Sequence, residues 1–170
     1  DGAGFVRGVQ RKGFDLRDKR VLVVGTGGVG SAIAASLAGA GIAAISLFDV
    51  NAACCEALAQ RLQAHYPHIE VRNGSNDPIG HDLVVNATPL GMNEGDPLPL
   101  DVTRLSPETF VGEVVMRAEN TAFLAAAQAR GCRTQVGTDM LYEQIPAYLE
   151  FFGLPTTTAD VLRRVARLSY

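Results

Sequence analysis

Three glycines and one carboxylate carry the clearest chemical signal in this chain. Gly25, Gly27 and Gly30 fall at the spacing G-x-G-x-x-G, and Asp49 follows 19 residues after the last of them. The short β-branched run Val21 to Val24 stops at the first glycine, as a buried parallel strand does. The first glycine suits a tight turn, the second close approach of backbone to a pyrophosphate, and the third the packing of the next helix on the strand. A helix from Gly28 to Ala40 would aim its N-terminus at that spot. Its unpaired N–H groups and dipole favour a phosphate there by about 0.3 to 1 kcal/mol, or up to roughly 2 when partly buried. Ile45 to Phe48 reads as a second strand, and a carboxylate at its end can accept both ribose hydroxyls of an adenine dinucleotide. The residues Gly25, Thr26, Gly27, Gly28, Val29, Gly30 and Asp49 therefore predict a site for NAD, with NADP disfavoured by charge at its 2′-phosphate.

A glycine-rich turn alone is weak evidence; strand, turn, helix, strand and terminal acid in that order make it stronger. The same opening occurs in ATP-dependent adenylyltransferases of the ubiquitin-activating type. Those enzymes follow the acid with a polar Asn- and Arg-rich stretch and often carry two Cys-x-x-Cys pairs, whereas Asp49 is followed by Val-Asn-Ala-Ala-Cys-Cys. A non-catalytic NAD-binding module is a third reading. The run Val21 to Phe48 has no charged residue and is long enough for a membrane span, but the glycines between 25 and 30 break any single helix there.

The elements that must position these residues follow from composition and pattern. At 170 residues, 47% hydrophobic and 19% charged, the chain fits one globular domain with a sizeable core. A net charge of -3 with no basic cluster gives no reason to expect nucleic acid. Arg163, Arg164 and Arg167 read as the solvated face of a helix. Cys54, Cys55 and Cys132 have neither disulfide nor metal spacing, so no metal is expected, and a reducing cytoplasm suits them as small core hydrophobes.

Along the chain, Asp1 to Gly13 reads as a helix, Ala52 to His65 as a second one capped by Asn51 and stopped by Pro67, and Ile69 to Val71 as the third strand. Asp82 to Thr88 is the fourth strand running into Pro-Leu-Gly-Met, and Glu94 to Pro107 is a polar, proline-containing stretch expected to be a mobile loop. Phe110 to Val115, a helix from Asn120 to Arg130, and Arg133 to Val136 come next. Gly137 opens another turn, followed by helices Met140 to Phe152 and Ala159 to Leu168. This alternation demands right-handed crossovers: an α/β, Rossmann-type, doubly wound and mainly parallel sheet with helices on both faces. Ligands bind such sheets at the carboxyl ends of the strands.

With those strand ends laid out, the whole chain resembles the shikimate/quinate dehydrogenase family. The resemblance rests on Asp1-Gly-Ala-Gly-Phe, Gly25 to Gly30, Asn86-Ala-Thr-Pro-Leu-Gly-Met, Gly137-Thr-Asp-Met-Leu and Gln144. It implies NAD(P)-linked oxidation of a ring hydroxyl on a cyclohexane or cyclohexene carboxylate, with an aspartate and a lysine handling the proton. Asp1 matches the aspartate, while Lys12 and Lys19 match no motif of the lysine and read as solvated. The resemblance further implies Asn86 and Thr88 at the nicotinamide-side ribose, Gly137 as backbone against which the ring lies, Ala87, Val114 and Met140 as other cofactor contacts, and Gln144 as a substrate contact. Met116 stands where shikimate-specific members usually have Tyr, which places it beside the substrate without the hydroxyl. On this reading residues 1–170 are the NAD-binding domain, 1–13 a linker helix from an N-terminal substrate domain absent from the sequence, and 139–170 the C-terminal helices. The expected partners are a small polyol-acid substrate, that substrate domain and a second copy in a homodimer, with no nucleic acid or membrane; the chain alone is expected to be inactive.

Overall fold

The charge-free run becomes the centre of the molecule. In the computed structural model, which describes residues 1–167, it folds as β1 (Arg20–Val24), α2 (Gly28–Gly39) and β2 (Ala44–Phe48), preceded by α1 (Gly2–Arg11). The chain continues through α3 (Ala52–His65), β3 (Glu70–Asn73), β4 (Leu83–Asn86), a 3₁₀ turn (Val102–Arg104), β5 (Phe110–Glu113), α4 (Ala122–Ala129), β6 (Arg133–Gln135), α5 (Gly137–Phe151) and α6 (Ala159–Val165). The six strands form one sheet in the order β3-β2-β1-β4-β5-β6, with every neighbouring pair parallel. Growth of the sheet reverses at β1 and β4, where Val24 and Asn86 are in register, and a crevice opens at their carboxyl ends. This is the Rossmann-type architecture expected from the sequence.

Strand periodicity divides the core in two. Val21, Val23, Leu83, Val85 and Phe110 face Phe5 and Val9 of α1, Ile33 and Leu37 of α2, Leu58 and Leu62 of α3, and Met140 of α5. Leu22, Val24, Val84 and Val111 face Phe123, Leu124 and Ala127 of α4 together with Leu100 and Leu105. Both faces are covered, so the central strands have no polar alternation, which is why they read as unbroken apolar runs.

Side-chain caps fix several helix starts. Asn51 accepts from the Cys54 amide at 3.2 Å, Thr121 from Leu124 at 3.3 Å and Thr158 from Val161 at 3.3 Å. Four expectations need correction. Helix α5 starts at Gly137, three residues early, and runs through Pro146. Helix α6 ends at Val165, and Leu168, its expected end, lies outside the described residues. Cys54 is exposed, unlike buried Cys55 and Cys132, because it sits on the outer face of the first turn of α3. The stretch from Glu94 to Pro107 is anchored, since its polar composition hides Leu100 and Leu105, which are 5% and 2% exposed in the second core. Leu105→Ala is therefore expected to cost about 2 to 5 kcal/mol in urea unfolding; a loss within the noise of a surface substitution would restore the mobile-loop reading.

Candidate functional site

Gly25 has φ +98°, and a Cβ there would press on the backbone of Ala87 and Thr88, so only glycine serves the turn. A Cβ on Gly30 would strike the Gly25 carbonyl oxygen, so the third glycine brings α2 onto the turn. Gly27 is different: it is the exposed N-cap of α2, no side chain caps the helix, and nothing lies within 4 Å of where its Cβ would be. Open space in front of uncapped amides is what a pyrophosphate needs. The space belongs to a cleft of about 500 Å³ lined by Val24, Gly25, Gly27, Phe48, Asp49, Val50, Asn76, Ala87, Thr88, Pro89, Leu90 and Pro99.

Asp49 is the charged residue of that lining, which contains no Lys, Arg or His. Its Oδ2 accepts from the Thr26 amide at 2.6 Å and the Thr26 hydroxyl at 2.9 Å, and its Oδ1 from the Asn51 amide at 2.9 Å. Burial pushes the carboxyl up, but the bonds from Asn51 and Thr26 outweigh it and hold Asp49 below the usual aspartate value. Asp49 is thus charged at neutral pH and braces the glycine turn. Thr26, expected at the cofactor, is buried and serves that brace, with its carbonyl taking the Ser31 hydroxyl at 2.9 Å. Gly28 is exposed and open, while half-buried Val29 packs on the larger core.

The opposite wall is the segment 86–91. Asn86 is fully buried, and its Oδ1 accepts from the Thr88 amide at 3.1 Å and hydroxyl at 2.6 Å while its Nδ2 donates to the Leu90 carbonyl at 3.0 Å. Those bonds make the side chain a brace of the wall. Ala87, whose amide bonds the Val24 carbonyl at 2.7 Å, and Thr88 line the cleft itself.

The remaining expected residues lie around α1 and α5. The Val114 amide donates to the Asn86 carbonyl at 3.1 Å. A Cβ on Gly137 would collide with the Val115 carbonyl, so glycine there lets α5 begin against the β5 end. Met140 is 4% exposed and its side chain belongs to the core, so only its backbone is left to face a ligand. Met116 is half-buried and packs on the same core. Gln144 is 9% exposed, not solvated; its Nε2 donates to the Tyr148 hydroxyl at 2.5 Å and its buried Oε1 has no partner. It packs beside Gly4, one turn from exposed Asp1, the N-cap residue of α1.

Two features escape sequence reasoning. Arg163 is not on a solvated face: it meets Asp139 at 3.2 Å and Glu143 at 3.0 Å, while Lys12 reaches Asp139 at 3.1 Å and Arg11 reaches Glu143 at 2.6 Å. Lys12 is therefore paired as well, and the network ties α1, α5 and α6 together; Arg164 and Arg167 are exposed as expected. The second is Glu113, in register with Asn86 at the end of β5 and 0% exposed. Its Oε1 accepts from the Thr121 hydroxyl at 2.7 Å and its Oε2 makes no hydrogen bond. Burial pushes its carboxyl up to about 7, against the opposing pull of Thr121 and Asn86. The signal available was a lone acid inside the apolar run Phe-Val-Gly-Glu-Val-Val.

A quinate/shikimate dehydrogenase (NAD(+)) of Corynebacterium efficiens is 35% identical over 160 residues, covering 91% of this chain and 56% of its own. A shikimate dehydrogenase (NADP(+)) of Moorella thermoacetica is 37% identical over 177 residues, covering 98% and 59%. The solved quinate dehydrogenase of Corynebacterium glutamicum in complex with NAD matches with a TM-score of 0.83 and 31% identity over 95% of this chain and 59% of that one. The ThiF family matches residues 7–54 alone, from within α1 to the first turn of α3. The chain spans 56 to 60% of the length of the curated relatives it matches. Among the described residues no helix is long and apolar enough to cross a membrane.

Glu113 makes stability depend on pH in a stated direction. Its pKa rises from 4.5 unfolded to about 7 folded, so its stabilising share is complete below 4.5 and is lost as pH rises through 7. Between pH 4.5 and 8, urea unfolding of Glu113→Gln should gain on the original chain by on the order of 3 kcal/mol. Parallel pH profiles for the two proteins would mean that the carboxyl is not titrating in the neutral range.

Proposed function

The chain belongs to the shikimate/quinate dehydrogenase family, and from that premise we propose that it is the dinucleotide-binding domain of an NAD-dependent oxidoreductase acting on a ring hydroxyl of a cyclohexane or cyclohexene carboxylate. The observation that carries the choice of NAD is Asp49, an ionised carboxylate in a cleft lined by no cation. It can take the two ribose hydroxyls, whereas a 2′-phosphate would meet its charge without an arginine to compensate. Relatives of both cofactor types occur, so this point stands on the residues of the cleft.

The residues present fit the cofactor. The open backbone at Gly27 and the uncapped start of α2 would hold the pyrophosphate, Asp49 the adenosine ribose, and Ala87 and Thr88 the second ribose. When bound, the dinucleotide supplies the nicotinamide that accepts or returns hydride. Oxidising an alcohol also frees a proton, and Asp1, exposed beside the α1–α5 seam, is the group proposed to take it. Gln144, with one free buried acceptor, would receive a substrate hydroxyl, and Met116 would give the ring an apolar contact. Residues 1–13 would then lead in from a domain carrying the rest of the substrate pocket, in keeping with the shorter span of this chain.

Titrating NAD, NADP and ATP into the chain tests the reading. NAD is expected to bind best, and ATP binding without either dinucleotide would favour an adenylyltransferase. Asp49→Ala should weaken NAD by roughly tenfold to a hundredfold, the worth of hydrogen bonds to an ionised group, while NADP changes little or improves. Because Val50 is 96% exposed on the cleft, Asp49→Ser combined with Val50→Arg should bring NADP to parity or better. Equal losses of both cofactors on removing Asp49 would overturn the assignment. The chain by itself is also expected to bind NAD yet give no NADH absorbance with shikimate or quinate, and steady turnover would show that the pocket is already complete.

A further inference from the structure

At Leu90 the wall of the cofactor cleft has space on both sides. In front is the cleft of about 500 Å³; behind, between residues 90–99 and 117–123, is a second cavity of about 340 Å³, and Leu90 lines both. Ala87 and Thr88 are seated against the Gly25 backbone, but a residue between two cavities is not located by close packing, so hydrogen bonds must locate the wall from Leu90 onward. Two side chains supply them. Asp96 accepts from the Gly91 and Asn93 amides at 3.0 Å each, and Asn86 grips Thr88 and Leu90 from beneath.

Asn86 can do this with one orientation of its amide. Its oxygen must face the Thr88 N–H and its nitrogen the Leu90 carbonyl; turned over, it would set donor against donor and acceptor against acceptor. The group beside that amide in the next strand is Glu113, with one oxygen held by Thr121 and the other unpartnered in a buried site. A carboxylate there attracts the Asn86 nitrogen. With Oε1 still accepting from the Thr121 hydroxyl, a protonated carboxyl carries its hydrogen on Oε2, where it repels the Asn86 nitrogen and calls instead for the Asn86 oxygen that Thr88 uses. We propose that Glu113 is a positioning residue for the dinucleotide: its ionised carboxylate fixes the Asn86 amide, and through it the wall of the cleft, so that cofactor affinity follows the charge of Glu113.

The proposal rests on the cofactor cleft assigned above. The surroundings give the effect a clear source. The strand on one side contributes Asn86, the start of α4 contributes Thr121, and Gln135 of the strand on the other side is in register with Gly112, whose face is opposite. No charged group among the described residues acts on Glu113. Asp96, on the same wall, is held below the usual aspartate value by the Asn93 and Gly91 amides and stays ionised throughout. The Glu113 carboxyl, pushed up to about 7, changes charge in the neutral range.

The measurement is the dissociation constant of NAD, by titration calorimetry on this chain at pH 5.5 to 8.5. The original chain should bind about fivefold or more tightly at the upper end, a usual size for coupling between two sites. Glu113→Gln, which presents an amide nitrogen to Asn86, should bind weakly at every pH with no slope, although it unfolds no more easily. Thr121→Val, which removes a donor that holds the charged form, should keep the slope but move its midpoint to higher pH. A slope unchanged in Glu113→Gln, tightening toward low pH, or NAD binding independent of pH in the original chain would overturn the proposal alone. Failure of the original chain to bind NAD or NADP at any pH would overturn the cofactor reading and this inference together.

Discussion

Backbone lies directly on backbone where α2 meets the turn that precedes it. At Gly30 there is no room for even a methyl group beside the Gly25 carbonyl, and at Gly25 none beside Ala87 and Thr88. That contact draws β1, α2 and the end of β4 into one unit and leaves the first amides of α2 facing the crevice. It recurs outward: Gly2 of α1 abuts Ala32 of α2, Gly4 abuts Met140 of α5, and Gly137 abuts Val115. One layer of side chains inserted at any of these points would displace a helix from its neighbour by several ångström.

Charge is distributed to suit that framework. The cleft keeps an ionised Asp49 that takes three hydrogen bonds from the protein, so the turn is braced before any ligand arrives. The balancing cations are elsewhere, in the network of Arg11, Lys12 and Arg163 with Asp139 and Glu143 that clasps three helices. Ion pairs with partners this buried contribute modestly to net stability, since desolvation offsets their attraction, but they punish misalignment. Their role here is to set how α6 lies on α1 and α5.

The sequence made the fold legible because each of its signals is local. A β-branched run ending in glycines, a cap such as Asn51 and an acid closing β2 can each be recognised within a few residues. The turn of the site was legible for the same reason. The contacts that Asn86, Met140 and Gly137 make within the chain were not, because they are decided by packing across the sheet. Glu113 looked like one acid in a strand; its cost appears only once both faces of β5 are known to be covered. Arg163 was misjudged because its partners Asp139 and Glu143 are at least 20 residues away in sequence.

Helix α1 is wedged between α2 and α5, so the beginning of the chain is bound to its last third: Arg7 donates to the Glu143 carbonyl across 136 residues. Closing a loop of that length costs entropy before any contact compensates it, and the partner surface does not exist until α5 has been made. During synthesis α1 leaves the ribosome well before α5 and must therefore wait for it, its Phe5 and Val9 exposed while the sheet assembles. The glycines at 2, 4 and 8, which permit its tight final seat, also make it a poor helix on its own. An element that stays unstructured until its groove is ready avoids committing its apolar face early, and hydrogen-exchange labelling during refolding would register it as late protection of α1.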